Sequence, residues 1–180
     1  WAYAAALLII IVLVLVTYNN LSYVFNDSRK EKSIIEERIV LESILSHVRS
    51  LDSGLRSFNL SASENLLTPY YRGLGGIKRD TIKLKKMLNT KEGPERMLWT
   101  DLINRLREKS NQTIREVEKR RLKNDDSVSV AINEQLNLQY TDTLVMHINS
   151  LLKSNRETVK QASDKRKDFT KDISYQFFIL

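Results

Sequence analysis

Asp52-Ser53-Gly54-Leu55-Arg56-Ser57-Phe58, followed by Leu60 and then Leu66-Leu67-Thr68-Pro69-Tyr70, reads as the end of one long helix and the opening of the next. An acid, a glycine, an arginine and an aromatic fall within two helical turns. Asp52 and Arg56 are four apart, so they share a face and are placed to pair. Leu51, Leu55 and Phe58 continue an apolar stripe. A glycine inside a helix costs about 1 kcal/mol against alanine, so Gly54 marks the close approach of another backbone or a bend.

Upstream, the stripe is Ile34, Leu41, Ile44, Val48, Leu51, Leu55 and Phe58. After its first gap the spacing alternates between three and four, the pattern of a helix-bundle seam. His47 sits beside that seam. The helix ends near Asn59 to Ala62. Ser61 or Ser63 is placed to cap a second helix over about residues 63–89, and Glu64 favours its first turn. Its expected inward residues are Leu66, Leu67, Tyr70, Leu74, Ile77, Ile82, Leu84 and Leu88. Gly73-Leu74-Gly75-Gly76 interrupts it. No strand precedes these glycines and no Lys-Ser/Thr follows, so they are no phosphate loop; close packing or a kink accounts for them.

Thr90-Lys91-Glu92-Gly93-Pro94 is the strongest turn signal in the chain, with glycine suited to a helix end and proline to a helix start. The third helix, about 94–123, carries Met97, Leu98, Leu102, Ile103, Leu106, Ile114 and Val117, then a charged run from Glu116 to Lys123. Asn124 to Ser127 form the next turn, with Asp126 or Ser127 as cap. The fourth helix, 127–172, carries Val128, Ile132, Leu136, Tyr140, Leu144, His147 and Leu151. His147 on that inner stripe is either a satisfied core histidine or a pH-sensing group.

Strand signals are nearly absent across the 180 residues, and five glycines and two prolines punctuate them, so the chain is expected to be all-α. There is no cysteine, hence no disulfide framework and no thiolate metal site. The net charge of +7 reads as a solvated helical surface, with attraction to anionic lipid heads or nucleic acid as the alternative. No nucleic-acid recognition motif accompanies it. Four Asn-x-Ser/Thr triplets, at Asn20, Asn26, Asn59 and Asn111, are what chance gives in an Asn- and Ser-rich chain.

Trp1 to Val16 is an uninterrupted apolar run, extended to Tyr18 with only Thr17 polar. At about 1.5 Å per residue it covers most of a bilayer's hydrocarbon core. Trp1, Tyr3 and Tyr18 suit the two interfaces. No small-x-small cleavage site follows, so residues 1–18 are expected to be a membrane helix rather than a signal peptide, with the true chain start upstream. Ile173, Tyr175, Phe177, Phe178, Ile179 and Leu180 read as the first turns of a second membrane helix, 173–180; a short hydrophobic helix tail packing on the bundle is the alternative. Lys165, Arg166, Lys167 and Lys171 flank that segment on the outer side, against the positive-inside tendency, which is weak for long translocated loops.

The two middle helices reach roughly 40 to 46 Å. The outer two exceed them by about 12 to 18 residues, which places the excess near residues 19–33 and 158–172 beside the membrane. The expected fold is an antiparallel four-helix bundle, residues 19–172, on a two-helix membrane-proximal stalk flanked by transmembrane helices. A two-helix stalk has little core, so a parallel homodimer through the stalk and membrane helices is expected, with the lipid bilayer as the other partner.

The stretch around Gly54 resembles the hairpin signature of the CHASE-type extracytoplasmic sensory domains, third class. In that family an acidic residue, a small residue, glycine, any residue, arginine, glycine and an aromatic close the first helix; a leucine follows, and the second helix opens near a leucine and a Pro-Tyr pair. Asp52, Gly54, Arg56, Phe58, Leu60, Leu67, Pro69 and Tyr70 fit. Ser57 stands where the family usually has glycine, and Asp52 is shorter than the usual glutamate. The resemblance covers roughly residues 20 to 172. It implies the input domain of a bacterial transmembrane receptor, most often a histidine kinase of a two-component system, in the inner (cytoplasmic) membrane with the helical domain outside. The ligand, a small molecule or a protein, is not readable.

Asp52, Gly54, Arg56, Phe58, Pro69, Tyr70, Tyr71 and Arg72 are the candidate residues, either locking the hairpin or contacting a ligand at the membrane-distal tip. No Ser/His/Asp set at useful spacing is visible, His47 and His147 lie on different helices, and no catalytic group, metal site or cofactor is expected. A chemoreceptor input domain is an alternative, separated from a kinase only by sequence further along. A membrane-anchored scaffold without signalling output is another.

Overall fold

The computed structural model describes the backbone of residues 1–122 and 127–178. Within the helices, the side chains of residues 2, 5, 6, 9, 13, 19–28, 127–134, 165, 166 and 168–178 lie outside the described set. The chain is all-α. Its elements are α1 (Ala2–Ser61), a 3₁₀ turn (Glu64–Leu67), α2 (Thr68–Leu88), α3 (Gly93–Arg121) and α4 (Ser127–Phe178). No strand occurs among the described residues.

The first turn differs from expectation. Ser63 makes no side-chain cap, and a 3₁₀ turn, Glu64–Leu67, occupies the start of the expected helix two. Pro69 then stands in the first turn of α2, just behind Thr68, where its missing N–H leaves no bond unmade. α1 closes on Ala62, a non-glycine residue at φ 53° whose N–H donates to the Phe58 carbonyl at 2.7 Å. Gly93, at φ 55°, is the first residue of α3, with Pro94 directly behind it. The cap expected at Asp126 lies outside the described residues, as does the side chain of Ser127.

Two compact units divide the chain, Glu37–Asn155 and Trp1–Glu36 with Arg156–Leu180. The first holds the core. α1 contributes Leu41, Ile44, Val48, Leu51, Leu55 and Phe58, on the spacing read from sequence. α2 adds Tyr70, Ile77 and Leu84; α3 adds Trp99, Leu102, Ile103 and Leu106; α4 adds Leu144, Ile148, Leu151 and Leu152. Consecutive helices run in opposite senses where they touch. Ser43 and Ser50 of α1 meet Asp80 and Pro69 of α2, and Asp101 and Lys109 of α3 meet His147 and Asn137 of α4.

Several apolar residues assigned inward point out: Leu66, Ile82, Met97, Leu98 and Leu136 are exposed. Trp99 takes the place given to Leu98. On α4 the inward row is Asn137, Thr141, Leu144, Ile148 and Leu151. The choice of Leu136 and Tyr140 is therefore one residue off, while the side chains of Val128 and Ile132, expected on the same stripe, lie outside the described residues.

In the other unit, Leu7, Leu8, Ile10, Ile11, Val12, Val14, Leu15 and Val16 of α1 are all about half exposed or more. Among the described residues no helix is long and apolar enough to cross a membrane. Five residues of the 1–18 run, and all side chains of 173–180, fall outside those described, so the membrane helices expected there rest on the sequence.

Candidate functional site

Two features organise the region around the opening stretch: a glycine seam between α1 and α2, and a buried polar cluster that joins α1, α3 and α4. The seam arises because α1 and α2 approach too closely for side chains. A Cβ on Gly54 would lie 2.3 Å from the Tyr70 backbone nitrogen, and one on Gly73 would lie 2.6 Å from the His47 carbonyl oxygen and the Leu51 nitrogen. Gly76 is covered by the His47 ring, with ring atoms 2.3 to 2.4 Å from a would-be Cβ. α2 runs unbroken through the glycines expected to interrupt it, and two of them, Gly73 and Gly76, form its contact face with α1, the close packing that the sequence offered as one account.

His47 does more than border the seam. Its Nδ1 lies 2.9 Å from Asp80 Oδ2, and the Ser43 hydroxyl donates to the same oxygen at 2.7 Å. Asp80 is nearly inaccessible, and Lys83 reaches its other oxygen at 3.3 Å. Sequence reading saw no Ser/His/Asp set because Asp80 stands on another helix. The arrangement is still not that of an acyl-transfer triad, which needs the hydroxyl at one ring nitrogen and the carboxylate at the other. Here hydroxyl and ring share one carboxylate oxygen, and the rest of the ring packs on Gly76. Its chemistry is that of a clasp between α1 and α2.

The polar cluster centres on Lys109. This side chain on α3 is completely inaccessible. Its Nζ lies 2.8 Å from Asp52 Oδ1 of α1 and donates to Asn137 Oδ1 and Thr141 Oγ1 of α4, with the Asn137 carbonyl at 3.3 Å. The contact with Asp52 is ionic: Oδ1 accepts no well-aligned hydrogen bond, yet opposite charges at that separation in a poorly hydrated site attract strongly. Burial lowers the Lys109 ammonium below its ordinary value, while Asp52 and Glu116 oppose that shift. One and two turns further along α3, Thr113 and Glu116 continue the polar row. Glu116 Oε1 accepts from Asn59 Nδ2 at 2.8 Å, and Arg120 donates to the Asn59 carbonyl at 3.1 Å. A small cleft of about 10 Å³, room for roughly one water, opens among Asp52, Arg56, Asn59 and Asn137.

The candidate residues thus divide. Asp52 turns to Lys109, and Arg56 stands exposed at the cleft beside it. Gly54 and Tyr70 meet in the seam. Phe58 is core. The Pro69 carbonyl accepts from Ser50 at 3.2 Å. Tyr70 is buried; burial raises its phenol above the ordinary value, against a hydrogen bond with Thr113. Its ring meets that of Tyr71 edge-on, with centroids 5.2 Å apart. Tyr71 is exposed, and its hydroxyl accepts from Arg121 at 2.6 Å, beside a two-pronged Arg121–Glu64 pair that fastens the 3₁₀ turn to the end of α3. Arg72 is exposed. The structure does not gather these side chains at a single point.

A second polar tie lies at the other end of the same unit. Buried Glu37 of α1 pairs with Lys91 of the α2–α3 turn at 2.7 Å and lies 3.5 Å from Asn155 Nδ2 of α4. Lys91 also stands 5.2 Å above the Trp99 ring. Near it, His147 Nδ1 lies 3.3 Å from Asp101. Burial lowers the His147 imidazole below its ordinary value; Asp101 opposes this and Arg105 adds to it.

Lys109, Glu116, Asn137 and Thr141 are the residues sequence reading missed. A signal existed: they fall on the three-and-four spacing that continues Trp99, Leu102 and Leu106 on α3 and precedes Leu144 and Ile148 on α4. No group of three metal-binding side chains occurs among the described residues. Compared with family models, with curated proteins and with solved structures, the chain finds no match in any of the three.

Proposed function

We propose that the chain is the extracytoplasmic input domain of a transmembrane receptor, of the histidine-kinase kind that the CHASE-type resemblance implies. In this reading Glu37–Asn155 is the body of an antiparallel four-helix bundle. The outer parts of α1 and α4 form the stalk, and the receptor works as a parallel homodimer in a bacterial inner membrane. The exposed aliphatic face of residues 7–16 supports the membrane part of the reading.

The observation that carries it is the Asp52–Lys109–Asn137/Thr141 cluster. It ties α1 to α4 through a fully buried charge, and those two helices carry both ends of the chain. Burying an ion pair gains little stability over an apolar replacement, and its best-attested use is to fix one packing against another. A stimulus that favours a second packing of this cluster would shift α4 relative to α1, which is the displacement a receptor transmits.

Single cysteines placed along residues 19–33 and 158–172 test this, in a chain with none of its own. The full-length protein is crosslinked in its native membrane under varied growth conditions, with and without Lys109→Met. Helically periodic crosslinks between copies that change with condition and with Lys109→Met are the expected result. Periodic but invariant crosslinks would point to a static scaffold. An absence of crosslinks removes the dimer and the mechanism together.

A further inference from the structure

α2 and α3 leave a groove of about 660 Å³ between them, on the face of α2 turned away from the glycine seam. Buried Ile77 and Leu106 make its floor, and half-buried Leu74 and Ile114 its walls. Lys78 and Arg107 stand exposed at the rim, one on each helix. The pairing that sets Tyr70 of α2 against Thr113 of α3 brings these two cations to the same level across the groove. Among the described residues neither has an acidic partner. Lys85, also exposed, stands two turns along α2 from Lys78, and Thr81, Ser110 and Asn111 add polar groups to the lining. A volume of this size, with an apolar floor and polar groups around it, is that of a small-molecule site.

Gly75 gives an independent indication. Gly73 and Gly76 are required by the contact with α1, but a Cβ on Gly75 would meet only Arg79 Nη1, at 3.6 Å. A glycine in a helix lowers its stability. Packing does not demand one here; what it leaves is open space in the groove.

We propose that this groove binds a monomeric long-chain carboxylate, of the fatty-acid class, with its chain along Ile77 and Leu106 and its head between Lys78 and Arg107. The Arg107 fork matches a carboxylate in two-pronged fashion, and Lys78 supplies a second charge. A second copy of the chain is a poor occupant, because face-to-face pairing would set the same cations against each other. The site goes beyond the receptor reading and does not rest on it.

The test is photocrosslinking of the full chain in phosphatidylcholine nanodiscs with a diazirine-bearing palmitate, followed by peptide mapping. The expected result is saturable labelling within residues 71–85 and 106–114, displaced by unlabelled palmitate. A diazirine-bearing hexadecanol, with the same chain and no charge, is expected to label there at least ten-fold less. The charge-removing pair Lys78→Gln and Arg107→Gln, and separately the plug Gly75→Leu, are each expected to reduce labelling at least ten-fold. Gly75→Leu is expected to leave the melting temperature unlowered, since the new side chain enters open space. Equal labelling by the alcohol, labelling unchanged in either variant, or none at these peptides would overturn the site. Labelling there with stalk crosslinks that never change would uphold it while removing the receptor reading.

Discussion

Lys109 Nζ lies 2.8 Å from Asp52 Oδ1, and the lysine is fully buried while the aspartate keeps a small opening to solvent. A lysine at such a position is stable as a cation only because Asp52, Asn137 and Thr141 replace its water. The pair therefore depends on three helices at once, and its parts are not interchangeable with surface charges of the same spacing.

Truncating one partner strands the other. Lys109→Ala is expected to destabilise the fold by about 3 kcal/mol, within the range for breaking a buried pair. The double change Asp52→Asn with Lys109→Met removes both charges and is expected to recover at least about 1 kcal/mol of that. Guanidinium unfolding followed by helical circular dichroism measures both. A double variant no better than Lys109→Ala would contradict this account, since it relieves the stranded charge and the methionine also refills the emptied volume.

The glycines of α2 are expected to respond oppositely to alanine. Gly73→Ala forces a methyl against the α1 backbone and should cost about 1 to 3 kcal/mol or more. Gly75→Ala meets no backbone and should gain up to about 1 kcal/mol from helix propensity. Thermal melts of the two variants, side by side, separate a packing glycine from an open one.

Ala62 holds φ 53° at the end of α1. That left-handed conformation is strained for a residue with a Cβ and free for glycine. Ala62→Gly is expected to stabilise by about 0.5 to 1 kcal/mol, the reverse of the usual loss on introducing glycine. A lower melting temperature for this variant would sink the argument.

His147 has a lowered folded value relative to its ordinary 6.5. The unfolded chain then takes up its proton first as pH falls, so protonation favours unfolding. The contribution is fully present above about pH 6.5 and is lost as pH falls from there through the folded value. Asp101 and Arg105 of α3 are the charges acting on the ring. Between pH 7.5 and 5.5 the native chain is expected to lose more stability than His147→Gln, measured as the difference in unfolding midpoint. Parallel pH curves would contradict it.

Local patterns carried the helices. The stripe from Leu41 to Phe58 could be read directly because a three-and-four spacing is a property of the chain alone. The break at Gly93-Pro94 was equally plain, since both residues act through their own backbone. The inward faces of α3 and α4 were less legible. Exposed Met97, Leu98 and Leu136 misled because an apolar side chain at the surface costs a protein little.

The sequence by itself determined an all-helical chain, the position of its turns and the inward face of α1, because periodicity and turn chemistry act over a few residues. Only the tertiary structure decided that Asn137 and Thr141 turn inward in place of Leu136 and Tyr140. Burying the Asn137 amide and the Thr141 hydroxyl is unfavourable for α4 alone. It becomes favourable when α3 brings Lys109, and α1 brings Asp52, to the same point, and no local pattern records that meeting.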